Sequence, residues 1–218
     1  MLKVIDVVRD IISSSEPELT ALSRRVLNLS AYAKRIHGQV ERRTQKPVQL
    51  GTIVVALSRI ATELTTEDPL LPVIELDSIA VKSNLAEVCF NKTPANKMRA
   101  QKLFTEKEFA QADFPTITYG TSEVSIFAPM QLVKPVLARF KPEKPKLLLD
   151  HLAALTIQFG ERYIETPNLY FGLFRALAVR SVNVVEVVST FTELTFLIRQ
   201  SDLNQVFQLM NSLMRQKL

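Results

Sequence analysis

Five short stretches decide the fold of this chain: Leu152-Ala-Ala-Leu-Thr-Ile-Gln-Phe159, Glu165-Thr-Pro-Asn168, Leu169-Tyr-Phe-Gly-Leu-Phe-Arg-Ala-Leu-Ala178, Asn183-Val-Val-Glu-Val-Val-Ser-Thr190 and Thr192-Glu-Leu-Thr-Phe-Leu-Ile198. The first is an apolar run of strand length, followed by a break and a turn. The third is apolar at helical spacing. The last two are rich in β-branched residues and flank a short turn, the pattern of paired strands. Asp202 then opens an amphipathic helix reaching Met214. The predicted order is β-α-β-β-α, with a terminal strand absent.

That order and its wording, T-P-N-L at the strand-helix turn and then N-V-V-E-V-V-S-T-F-T-E-L-T-F-L-I, resemble the ACT repeats at the regulatory end of aspartate kinases. The family has Pro-Gly where this chain has Pro167-Asn168, and Asn tolerates positive φ better than most residues. The resemblance implies a ferredoxin-like module that pairs with another and senses a small molecule, often an amino acid. By position, Thr166, Asn168 and Leu169 supply the turn, whose main-chain N–H groups at a helix N-terminus suit a carboxylate. Asn183 and Val184 enter the second strand and face the ligand, and Ser189 and Thr192 add hydroxyls. Tyr170, Phe171 and Phe174 are expected in the helix-sheet core. No kinase domain accompanies the repeats, so catalysis does not carry over.

The phrase Glu193-Leu-Thr-Phe196 recurs as Glu123-Val-Ser-Ile126, 70 positions earlier, and more loosely as Glu87-Val-Cys-Phe90. A helix follows in both of the later copies, Met130–Phe140 and Leu203–Met214. The repeated glutamate reads as an exposed strand start, not as a catalytic carboxylate pair. Upstream, Ser78–Lys82 and Leu85–Phe90 read as a hairpin around Ser83-Asn84. Thr93 caps a helix to Phe104, and Thr116–Tyr119 and Ser122–Phe127 form a second hairpin. Residues 73–140 are therefore expected to be a divergent ACT-like unit, joined by the Pro-stiffened segment Lys141–Lys146 to the ACT domain at 147–218.

Residues 1–66 read as four helices, with the connector Thr65–Pro72 leading out of them. Ser15 and Glu18 form a capping box with Pro17 in the first turn, and that helix ends near Asn28. Ser30 caps the third helix, which reaches about Arg43, and the fourth starts near Leu50. The pair resembles a helix-turn-helix unit, although its break exceeds the usual 3–4-residue turn. From Arg24 to Arg59 eight basic residues face Glu41 alone, a local excess of +7 in a chain of net +5. In a nucleic-acid reading, Arg42, Arg43 and Lys46 touch phosphates while Gln49, Thr52 and Arg59 approach base edges. The bland alternative is a solvated charged face on a packed cap.

Composition narrows the remaining choices. Hydrophobic residues make up 47% of 218, enough for packed cores, and no apolar run reaches the roughly 20 residues of a membrane span. The charged N-terminal helix does not read as a signal peptide. The single Cys89 reads as a small buried hydrophobe in a reducing compartment. His37 and His151 lack metal-ligand spacing, and His37 reads as a surface residue. The five glycines form no phosphate-cradling pattern and no nucleophile elbow is present. The expectation is an α+β protein: a helix-turn-helix-like domain followed by two ferredoxin-like βαββα ACT units with antiparallel sheets. Its expected role is that of a cytoplasmic, non-enzymatic, homodimeric regulator without cofactor or metal, with an amino-acid ligand and DNA as partners. The alternative is a regulatory or scaffolding subunit that docks a partner protein.

Overall fold

The computed structural model describes residues 2–64, 72, 75–112 and 114–215, so the connector residues 65–71 lie outside it. The chain divides into two compact units, Met1–Pro72 and Val73–Leu218.

The first unit holds α1 (Val4–Ser13), α2 (Glu16–Ser23), α3 (Leu29–Thr44) and α4 (Leu50–Glu63). Val8 and Ile12 of α1, Ala33 and Val40 of α3, and Ile53 and Leu57 of α4 recur at helical spacing and are buried in one core. Two caps differ from the sequence reading. Asn28, not Ser30, starts α3, its side-chain oxygen accepting from the Ala31 N–H at 3.0 Å. Ser15 makes no capping bond; its hydroxyl donates to the Glu18 carboxylate, which Arg35 of α3 also holds. The second helix stops at Ser23, five residues early, because Arg25 turns left-handed at φ 58°.

The second unit contains β1 (Leu76–Asn91), α5 (Pro94–Leu103), α6 (Lys107–Ala110), β2 (Thr116–Tyr119), β3 (Glu123–Pro129), α7 (Val133–Phe140), β4 (Leu147–Phe159), α8 (Leu169–Val179), β5 (Val184–Ser189), β6 (Glu193–Arg199) and α9 (Leu203–Arg215). Its strands form one sheet in the order β2-β3-β1-β4-β6-β5. The expected hairpin at Ser78–Phe90 is instead a single long strand. Its second half, Leu85–Asn91, pairs with β3, while its first half pairs with Ala154–Phe159 of β4. In return, Leu147–Leu149 of β4 pairs with Glu87–Cys89. A ferredoxin-like unit needs a fourth strand beside its first; here each half receives it from the other.

The exchange is symmetric residue by residue. Val81 pairs with Leu155 and Val88 with Leu148, the same pairing with the strands swapped at an offset of 67. Leu85 and Leu152 pair with each other at the pseudo-twofold axis. The register slips on both sides of that pair, and the extra residues Asn84 (φ 58°) and His151 (φ 51°) are left-handed, as in one class of β-bulge. Farther out, the short 3₁₀ turns Met130–Leu132 and Gln200–Asp202 precede α7 and α9 at the 70-residue offset of the Glu123 and Glu193 phrases.

Helices cover one face of the sheet, in two clusters. Val88, Phe90, Ile126 and Phe140 belong to one; Leu155, Phe196, Leu173 and Met210 belong to the other. The opposite face curls over a smaller core of Leu85, Phe127, Leu152, Ala154 and Leu197. In α8 the inward stripe is Leu169, Leu173 and Leu177. Tyr170 and Phe171, expected in the core, are instead exposed, since the i, i+4 spacing of the leucines occupies the inner face. Phe174, though 37% exposed, does reach the helix-sheet interface, where its ring meets that of the buried Phe196 edge-on at 5.6 Å. Cys89 is buried, and burial pushes its thiol pKa up.

Glu87 is not the exposed strand start that its phrase suggested. It lies mid-strand, 5% exposed, on the curled face, and accepts a hydrogen bond from the Ser125 hydroxyl at 2.8 Å. Burial raises its carboxyl pKa, against the lowering effect of Ser125 and with the charges of Glu186 and Glu123 adding to the rise. A carboxyl whose pKa is higher folded than unfolded favours the fold when neutral and loses that contribution as pH rises through the folded value. Glu87→Gln keeps the acceptor and removes the ionisation. Its melting temperature is expected to exceed the parent's at pH 8 and to converge with it near pH 4, as a calorimetric pH series would show. Leu152→Ala removes a fully buried side chain at the pseudo-twofold axis and is expected to cost about 2–5 kcal/mol in urea unfolding.

Candidate functional site

The connection from β4 to α8 runs from Gly160 to Asn168 and includes a 3₁₀ turn over Glu161–Glu165. Asn168 is the N-cap of α8 in a left-handed conformation, φ 65° and ψ 12°, and its side chain makes no capping bond. Its carbonyl accepts from the Gly172 N–H at 3.0 Å. The first-turn amides of α8 therefore have no side-chain cap, and the helix dipole places partial positive charge at this end.

Beside that helix end lies a cleft of about 570 Å³. The β5–β6 turn closes its far side through Ser189, Thr190 and Phe191, while Phe159 and Tyr163 line it from the β4 side. Tyr163 is held rigidly: its ring meets Phe159 edge-on at 5.9 Å, and its hydroxyl accepts from the Glu75 N–H at 2.7 Å. Arg162 stacks over the Tyr163 ring and pairs with the Glu75 carboxylate. The hydrogen bond to Tyr163, and then that to Glu75, raise the pKa of Arg162.

Of the seven residues the resemblance assigned to a ligand, Thr166, Asn168, Leu169 and Ser189 meet at this cleft. Thr192 sits in the adjoining turn, where its carbonyl accepts from the Phe159 N–H at 3.0 Å. Asn183 and Val184 lie at the opposite end of β5, beside Ile198 and the C-terminal end of α8. Tyr163, Phe191 and Thr190 were missed. Phe191 was visible in sequence as a lone aromatic in a turn, but Tyr163 enters the site only through the fold of the 3₁₀ segment.

In the helical unit, Arg42, Arg43, Lys46, Gln49, Thr52 and Arg59 are all exposed. Arg43 pairs with Asp10 of α1, and Arg35 pairs with Glu18 of α2. Hydrogen bonds from Ser15 and then Arg35 hold the Glu18 carboxyl below the usual range, with burial opposing them. Gln49, Thr52 and Arg59 line a second cleft, about 450 Å³, with Val4, Ile5 and Val55. His37, expected on the surface, is half-buried and fixes the α3–α4 loop: its Nε2 lies 2.6 Å from the Val48 carbonyl, and the Val48 N–H donates to the Glu41 carboxylate.

Among the described residues no cluster of three or more His, Cys, Asp or Glu side chains is placed to hold a metal ion, and no helix is long and apolar enough to cross a membrane.

No protein-family model and no curated protein matches this sequence. Solved structures do. The chain is similar to the aspartate kinase of Clostridium acetobutylicum, with TM-score 0.54 and 16% identity over 65% of this chain and 35% of that one. It is similar to the ligand-free regulatory subunit of aspartate kinase from Thermus thermophilus, with TM-score 0.51 and 11% identity over 65% of this chain and 98% of that subunit. The regulatory subunit from Thermus flavus gives TM-score 0.53 and 11% identity over 64% and 98%. The chain thus spans about a third of the clostridial enzyme and nearly all of each Thermus subunit. It carries the α+β, ferredoxin-like fold of the ACT-type regulatory portions of aspartate kinases.

Proposed function

We propose that this protein is a non-catalytic, homodimeric regulator whose sheet unit binds an amino acid and whose helical unit carries the output. The observation that carries this reading is the cleft at the uncapped start of α8. It combines a polarised helix end with hydroxyls and an apolar wall, on a fold otherwise found in enzyme regulatory portions. A ligand acts here by binding one arrangement of the protein more tightly than another, and its leverage equals that difference in affinity.

For the output, Arg42, Lys46 and Arg59 are exposed and carry no ion pair among the described residues, which supports contact with DNA phosphates. A second reading, docking of a partner protein, is favoured by the apolar floor of Val4, Ile5 and Val55 beside Thr52 and Arg59. The two readings differ in salt dependence. If DNA is the partner, anisotropy titrations with duplex DNA show affinity falling steeply between 50 and 200 mM salt, and Arg42→Ala and Lys46→Ala each lower the log–log slope by about 1. No binding at 50 mM salt removes DNA and leaves the docking reading.

For sensing, a thermal-shift series over the twenty amino acids is expected to raise the melting temperature with at least one of them, because a ligand that binds only the native state stabilises it. Light scattering behind a sizing column is expected to give twice the 24.6 kDa chain mass; a monomer mass at micromolar concentration removes the pairing role.

A further inference from the structure

The two halves of the sheet unit are built alike, so each is a control for the other. Lys92 and Phe159 occupy equivalent places at the ends of β1 and β4: the Lys92 N–H donates to the Ser122 carbonyl as the Phe159 N–H donates to that of Thr192. The turns match too, with Gly120 N–H to Glu123 carbonyl and Thr190 N–H to Glu193 carbonyl.

From these common positions the halves diverge in three ways. In the first half, α5 begins at once: Thr93 caps it by accepting from the Asn96 N–H at 3.1 Å, and Pro94 removes another free amide. The Lys92 ammonium reaches across to the Gly120 carbonyl at 2.5 Å, filling the gap between strand end and turn. The Asn96 side chain is itself spent on the Asn91 carbonyl and on Arg99. In the second half the helix end is uncapped and the connection is longer. The turn carries Phe191, 55% exposed, where a cation bridges the first half.

Resting on the sensing role proposed above, we infer that the β4–α8 cleft, and not its counterpart in the first half, is the ligand site of the sheet unit and that it takes an α-amino acid with an uncharged, flat apolar side chain. The carboxylate is met by the amides of the first turn of α8. The side chain lies among Tyr163, Phe171 and Phe191, where ring faces and edges give favourable contacts beyond burial. Among the described residues no Asp, Glu, Lys, Arg or His lines the cleft, so a charged side chain enters it without a counter-charge and is disfavoured. The hydroxyl oxygens of Ser189, Thr190 and Thr166, the last already donating to the Arg162 carbonyl at 3.2 Å, can accept from the ammonium group. The equivalent place in the first half is bridged by Lys92 and its helix amide is taken by the Thr93 cap, so one ligand per chain is the expected stoichiometry.

Calorimetric titration of the full chain with L-phenylalanine, L-lysine and phenethylamine tests this. L-phenylalanine is expected to bind at one per chain, at least tenfold tighter than L-lysine, and phenethylamine, lacking the carboxylate, at least tenfold weaker than L-phenylalanine. Phe191→Ala is expected to weaken L-phenylalanine at least tenfold while leaving the ligand-free melting temperature unchanged, since its ring is mostly exposed. Two ligands per chain, equal or tighter binding of lysine or phenethylamine, or an unchanged affinity in Phe191→Ala overturns the inference. Tight binding of lysine that Phe191→Ala abolishes overturns the ligand class and leaves sensing standing. A flat response to all twenty amino acids overturns both.

Discussion

The central antiparallel pair, β1 against β4, is the constraint on which the sheet unit depends. Neither half is a complete sheet by itself: each has three strands and lacks the fourth that would satisfy the open edge of its first strand. An open strand edge presents unpaired N–H and C=O groups. Long strands solve this by running past their own half into the other, Leu76–Lys82 in one direction and Leu147–Leu149 in the reverse. Both strands must bend where they pass between halves. The bends fall at the Asn84 and His151 bulges, beside the buried Leu85–Leu152 pair.

A symmetric frame makes the asymmetric elements informative. Backbone bonds at the strand ends and hairpin turns repeat between halves, so differences there are not imposed by the frame. The first half spends Lys92, Thr93 and Asn96 on closing its strand-helix junction. The second half spends a longer connection on holding the same junction open, and Tyr163, tied to the Glu75 backbone, keeps one wall in place. The bulged sheet positions both junctions; local sequence decides which of them is a cleft.

In the helical unit, charge in sequence and charge on the surface diverge. The run from Arg24 to Arg59 is strongly basic when read linearly. Folding brings Asp10 to Arg43 and Glu18 to Arg35, so acids outside the run offset part of it. Exposed pairs of this kind contribute little to stability, because water and salt screen them. Their larger effect is to thin the basic field that a phosphate backbone would meet; Arg25, Lys34, Arg42, Lys46 and Arg59 are among the exposed cations outside those two pairs.

Much of the architecture was legible in the residues. The apolar periodicities of Leu169–Ala178 and Leu203–Met214, the β-branched runs at Asn183–Thr190 and Thr192–Ile198, and the 70-residue repeat of Glu123 and Glu193 define βαββα halves, because side-chain periods of 3.6 and 2 are imposed by local backbone geometry. Tertiary structure alone decided the rest. Ser83-Asn84 reads as a hairpin turn locally but becomes a bulge, because β4 offers a partner to the residues before it. Glu87 reads as a strand start but is buried, because the sheet curls over its face. Tyr163 has no local mark of function, and its place in the cleft comes from an edge-on contact with Phe159 and a bond to a residue 88 positions away. Local pattern determines which elements form; which face is covered, which edge is completed and which junction stays open depend on contacts between residues far apart in the chain.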